Sequence, residues 1–117
     1  MSVNFEFKEN YTFSDLVEIV KILRSPGGCP WDMEQTHESI KNQLVEEAYE
    51  LVDSINNDDI DGMIEELGDV LLHVVFHSSI GKEDGYFNIY AALFNRAAFF
   101  YKNKRAQTLC LSSVAIS

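Results

Sequence analysis

The chain has 117 residues, 46% of them hydrophobic and 24% charged, which is the length and composition of one globular domain, residues 1–117. A formal charge of −10 and a pI near 4.5 exclude the basic footprint that nucleic acid or an anionic membrane surface requires. Cys29 and Cys110 lack zinc-like spacing, the start "MSVNFEFKEN" has no signal-peptide pattern, and no apolar run is long enough to span a bilayer. A reduced, cytoplasmic protein is expected. A core of this size is modest, so helices with apolar faces left over are naturally covered by oligomerisation.

The first periodic segment, "TFSDLVEIVKILR", spaces Phe13, Leu16, Val17, Val20 and Leu23 as one helical face, with Thr12 or Ser14 as N-cap. It ends at "SPGGCPWD", where Pro and Gly break regular structure and leave Trp31 on a loop, either plugging a core edge or walling a ligand. A second helix runs from Thr36 or His37 to about Ile55, and a third from about Asp59 to Ile80. From Leu67 the third is apolar on most faces, which predicts a central, buried element. A fourth helix is expected over about 87–102. The closing "QTLCLSSVAIS" has no charge and no helical pattern.

Residues 46–69 hold ten carboxylates, and no Lys or Arg occurs from Asn42 to Gly81. At about 100° per residue, Glu47 falls at the edge of the apolar arc formed by Ile40, Leu44, Ala48, Leu51, Val52 and Ile55, with Glu46 and Glu50 on the same side. On the third helix, Glu66 and Asp69 lie on a strip between two apolar regions, together with His73 and His77. Carboxylates are rarely left unpaired at such positions, because desolvating an uncompensated ion costs several kcal/mol.

Glu47 with Glu50, and Glu66 with Asp69, stand three apart, so each pair shares a helix face. Antiparallel packing would converge all four. A hard divalent cation such as Mg²⁺ or Mn²⁺ would relieve their repulsion and could join them to substrate phosphates. The competing reading is a solvated acidic surface, which suits Asp53, Asp58, Asp59, Asp61 and Glu65. A di-iron site would need a Glu-x-x-His motif on each of two helices, and only Glu34 with His37 supplies one. His73 and His77 read as core-edge histidines rather than ligands.

The segments "GGCPWDMEQTHESIKNQLVEEAYELVDSI" and "IEELGDVLLHVVFHSSIGKEDGYF" closely resemble the MazG family of nucleoside triphosphate pyrophosphohydrolases over about residues 14–90. The acidic signature E-E-x-x-E followed by E-x-x-D is met by Glu46, Glu47, Glu50, Glu66 and Asp69, and the loop "GCPWD" with "QTH" points the same way. The resemblance implies an all-α, four-helix bundle-like fold completed by dimerisation, as a homodimer or dimer of dimers. It implies Mg²⁺-dependent cleavage of NTPs or dNTPs to the monophosphate and pyrophosphate, with Mn²⁺ as a substitute. Glu47, Glu50, Glu66 and Asp69 would ligate metal, and Glu46 would support them or orient water. Trp31, Asp32, Gln35, Thr36, His37 and Lys41 would line the nucleotide pocket. From about Ala91 the resemblance stops, and residues 91–117 form an atypical tail without the family's basic closing segment. Arg96, Lys102, Lys104 and Arg105 are its candidate electrostatic replacements. The alternative is a catalytically weakened protein that binds nucleotide or metal, or only dimerises.

Overall fold

A computed structural model describes residues 6–111, with side chains described through residue 103. Among the described residues the structure is all helical: α1 (Phe13–Leu23), α2 (Pro30–Glu34), α3 (His37–Asn56), α4 (Ile60–Glu83) and α5 (Ile89–Leu111). The helix starts follow local chemistry. Thr12 caps α1 in a reciprocal pair with Asp15, its hydroxyl accepting from Asp15 N at 3.1 Å while its own N–H donates to Asp15 Oδ2 at 2.9 Å. Thr36 and Ser39 repeat that arrangement at α3. Asp59 accepts from Gly62 N at 3.0 Å and starts α4.

One element differs from the sequence expectation at the Gly/Pro segment. Trp31 is not on a loop but inside the short helix α2, because Pro30 takes the first helical position, where its missing N–H is not needed. The last helix also runs further than expected, through Leu111. A helix backbone satisfies its own hydrogen bonds whether or not its side chains form an apolar face. The side chains of Lys104, Arg105 and Cys110, and the whole of residues 112–117, lie outside the described residues.

α3 and α4 form a hairpin through a tight turn in which Asp58 adopts a left-handed conformation (φ 53°). α4 is the central element, packing against α1, α3 and α5. Val20, Ile40, Val75, Phe76 and Ile80 make the core, with Leu16 and Val17 against it. Arg24 closes this end. Its side chain is 6% exposed, and it donates to Glu83 at 2.7 and 3.1 Å and to the carbonyls of Asp32 and Gln35 at 2.6 and 3.0 Å.

Burial stops short of the expectation for α4. Leu67, Leu71, Leu72 and Val74 remain exposed, and the first fully buried residue of the helix is Val75. Val45, Tyr49, Val52, Ile60 and Ile64 are exposed along the hairpin as well. The reason is reach: α1 has 11 residues against 24 in α4, so it covers only part of the longer helix. No helix among the described residues is long and apolar enough to cross a membrane.

Candidate metal and nucleotide site

The α3–α4 hairpin brings acids from both helices together. One carboxylate oxygen each from Glu47, Glu66 and Asp69 lie within 4.8 Å of one another. Glu47 Oε2 and Glu66 Oε2 are out of contact with solvent and have no hydrogen-bond donor. No ion pair among the described residues reaches these three. Two ionised carboxylates cannot hydrogen-bond to each other, but one shared proton lets Glu66 donate to Glu47. The Glu47 carboxylate accordingly pushes the Glu66 carboxyl up to about 7, with desolvation and Glu50 adding to the rise. At Glu47 the shared hydrogen bond pulls the other way, yet desolvation and the charges of Asp69 and Glu50 leave it raised on balance. Hard oxygen donors that are close, desolvated and uncompensated suit a divalent cation.

Beside the acids lies a cavity of about 240 Å³, walled by all four of the first helices. Glu47 and Asp69 belong to its lining, and so do Trp31 and Asp32 from α2. Val20, Ile40 and Phe76 of the core form apolar wall.

The other expected residues are placed differently. Glu50 is exposed but near enough to raise the Glu66 carboxyl by charge and hydrogen bonding. Glu46 is exposed and outside the three-carboxylate group. Gln35 bridges α2 and α3, its Nε2 donating to Trp31 O at 2.8 Å and its Oε1 accepting from Ser39 at 2.8 Å. Thr36 is the α3 cap. His37 meets His77 at 2.7 Å. Lys41 pairs with Glu38 at 2.6 Å on the exposed side of α3. None of these four lines the cavity.

The sequence reading passed over Gln43 and took His73 for a core-edge histidine; both line the cavity. Their signal was available: Gln43 lies four residues before Glu47 and His73 four after Asp69, one helical turn away on the same faces. Arg24 was also missed, since its partner Glu83 stands 59 residues away.

Comparison with known proteins points to a family. Residues 35–97 match the MazG nucleotide pyrophosphohydrolase domain, ending beyond the Ala91 at which the sequence resemblance stops and leaving α1 and α2 outside the match. The nucleoside triphosphate pyrophosphohydrolase/pyrophosphatase MazG of Thermotoga maritima is 57% identical over 77 residues, covering 66% of this chain and 30% of the relative. An uncharacterized Bacillus subtilis protein, YabN, is 53% identical over 79 residues, or 68% of this chain and 16% of the relative. The Escherichia coli nucleoside triphosphate pyrophosphohydrolase is 45% identical over 74 residues, or 62% and 28% respectively. The chain thus spans less than a third of the length of these relatives. With the domain match covering over half of the chain and an acid-bearing helical hairpin at its centre, this chain belongs to the MazG nucleotide pyrophosphohydrolase domain family.

Proposed function

We propose that this chain hydrolyses nucleoside triphosphates to the monophosphate and pyrophosphate, using Mg²⁺ or Mn²⁺ held by Glu47, Glu66 and Asp69, with Glu50 beside them. The observation that carries this reading is the pair of buried, donorless oxygens on Glu47 and Glu66 next to a cavity. When bound, a divalent ion supplies charge for the phosphate oxygens and lowers the pKa of an attacking water.

The chain's own residues divide the remaining work. Glu47 and Asp69 belong to both the acid group and the cavity wall, so they set where phosphate chemistry meets the nucleoside pocket. Glu50 adds negative charge that favours a positive partner, proton or cation, at Glu66. Glu46, on the solvent side, is assigned to orienting water. Trp31 and the apolar wall exclude water from the pocket and offer a face for a base. The exposed apolar residues of α3 and α4 support a homodimer or dimer of dimers, and a nucleotide substrate supports a cytoplasmic location.

A second reading is a weakened enzyme that retains metal and nucleotide binding. It is favoured by the cavity lining, which contains no Lys or Arg among the described residues, and by Arg96 lying 4.4 Å from the Phe99 ring. A missing phosphate-binding cation can cost orders of magnitude in rate. Incubation with a panel of NTPs and dNTPs plus Mg²⁺ separates the two. Pyrophosphate release above that of a Glu47→Gln, Glu50→Gln double variant establishes hydrolysis, and equal release sinks it. Mg²⁺-dependent thermal stabilisation without release identifies the weakened form.

A further inference from the structure

Trp31 and Asp32 reach the cavity from α2, an element with little of its own to hold it in place. It has five residues, too few for a helix to be stable alone, and none of them is buried. Its N-terminal side is tied by Cys29 N donating to Leu23 O at 2.8 Å. Its C-terminal side is held from α1. Arg24 Nη1 donates to the carbonyls of Asp32 at 2.6 Å and Gln35 at 3.0 Å, filling acceptors that a helix end leaves unpaired.

The same guanidinium fixes that helix against α4. Nε and Nη2 donate to the Glu83 carboxylate at 2.7 and 3.1 Å, and the guanidinium carbon lies 5.2 Å from the ring centroid of Phe76, itself a wall of the cavity. Arg24 is the C-cap of α1, so one side chain sets α1, α2 and α4 in register around the cavity. Four of its five N–H groups are engaged by these protein acceptors, and Arg24 is not among the lining residues. It is therefore not available as a phosphate-binding cation, and its influence on a ligand runs through the wall it holds.

We propose that Arg24 is a positioning residue for nucleotide binding: it holds α2 where Trp31 and Asp32 meet the nucleoside, while the acids bind metal without it. This rests on the nucleotide reading of the site. Glu47, Glu66 and Asp69 are not among the hydrogen-bond partners of Arg24, so the two halves of the site should respond separately to its loss. A fork that reaches two carbonyls and a carboxylate at once is beyond a lysine ammonium, so Arg24→Lys keeps the charge and loses the geometry.

Trp31 is the chain's single tryptophan and 55% exposed, so acrylamide quenching of its fluorescence reports the seating of α2 directly. Nucleotide affinity is read by titration with α,β-methylene analogues of ATP, GTP, CTP and UTP in saturating Mg²⁺, and Mg²⁺ affinity by calorimetry without nucleotide. Arg24→Lys should increase acrylamide quenching and weaken the best-bound analogue by roughly tenfold, the scale of a small misplacement. Its Mg²⁺ affinity should stay within about twofold of wild type. Glu83→Gln, which loses charge on the α4 side and keeps the bonds to α2, should lower the melting temperature and leave analogue affinity within about twofold. Unchanged analogue affinity in Arg24→Lys overturns the assignment. So does an equal weakening in Glu83→Gln, or a parallel loss of Mg²⁺ affinity, either of which marks general loosening. If no analogue binds wild type the assignment also falls, and pyrophosphate release then decides whether the enzymatic reading falls with it. Circular dichroism, with all titrations well below each melting temperature, excludes unfolding as the cause.

Discussion

His37 and His77 meet Nδ1 to Nδ1 at 2.7 Å, with ring centroids 5.0 Å apart and planes within 2°. The centroid separation equals the nitrogen distance plus two centroid-to-nitrogen radii, so the rings lie edge to edge in line, not face to face. One proton fits between the nitrogens. A second would set two N–H groups against each other, and this joint ties the start of α3 to α4.

Acid should therefore weaken the fold as the histidines of this joint take up protons. Burial lowers the His77 pKa below 6.5, and the neighbouring His37 and His73 lower it further, while Phe87 offers the cluster no charge. A depressed folded-state pKa gives stability that is complete above 6.5 and is lost as pH falls through the folded value. In saturating Mg²⁺ the melting temperature should fall as pH drops below 6.5, and His77→Phe should flatten that slope. Parallel slopes for the two proteins refute the shared-proton joint.

Glu66 has the opposite sign. Raised to about 7, it holds its proton in the folded state, so metal-free protein gains stability from it below the ordinary 4.5 and loses that gain as pH rises through about 7. Mg²⁺ should displace the proton and remove the dependence. Calorimetry at pH 6 in two buffers of different ionisation enthalpy should register proton release on Mg²⁺ binding. Glu66→Gln should raise the metal-free melting temperature at pH 8 and abolish the Mg²⁺ response. A persistent response would place the ion elsewhere.

Removing Arg24 should loosen three elements together. Arg24→Met deletes two hydrogen bonds to Glu83 and the donors to the Asp32 and Gln35 carbonyls. The expected loss is about 2 kcal/mol in urea unfolding. The Arg24 hydrogen bond lowers the Glu83 carboxyl, so wild type should also lose stability as pH falls from 4.5 through the folded value, a loss the variant should lack. A variant within about 0.5 kcal/mol of wild type would mean that water replaces the guanidinium.

Gly81 tests the far end of α4. A Cβ there would collide with the Phe87 ring, which is held by a turn in which Tyr86 N donates to Gly81 O at 3.0 Å. Gly81→Ala should cost about 1 to 3 kcal/mol by overpacking, although alanine favours helix. A rise in melting temperature would show that Phe87 moves freely.

The acid-bearing strips were legible because a carboxylate beside an apolar arc is visible on a helical wheel, and Glu47, Glu66 and Asp69 converge from such positions. The wheel gives a face but not what covers it, so the exposure of Leu67 and Leu71 was not legible. The nature of α2 was hidden because Pro30 signals both a break and a helix start. Gln35, Thr36 and Lys41 were matched by motif, and the structure gives them a bridge, a cap and a surface ion pair instead of cavity wall.

Among the described side chains of α5, Ile89 alone is buried. The core cluster and the three carboxylates are complete before it in the chain. Changes in the coding sequence after that point can therefore accumulate without disturbing either, which separates the inheritance of the scaffold and its acids from that of the ending. A lineage could exchange the last quarter of such a protein and still pass on the same pocket.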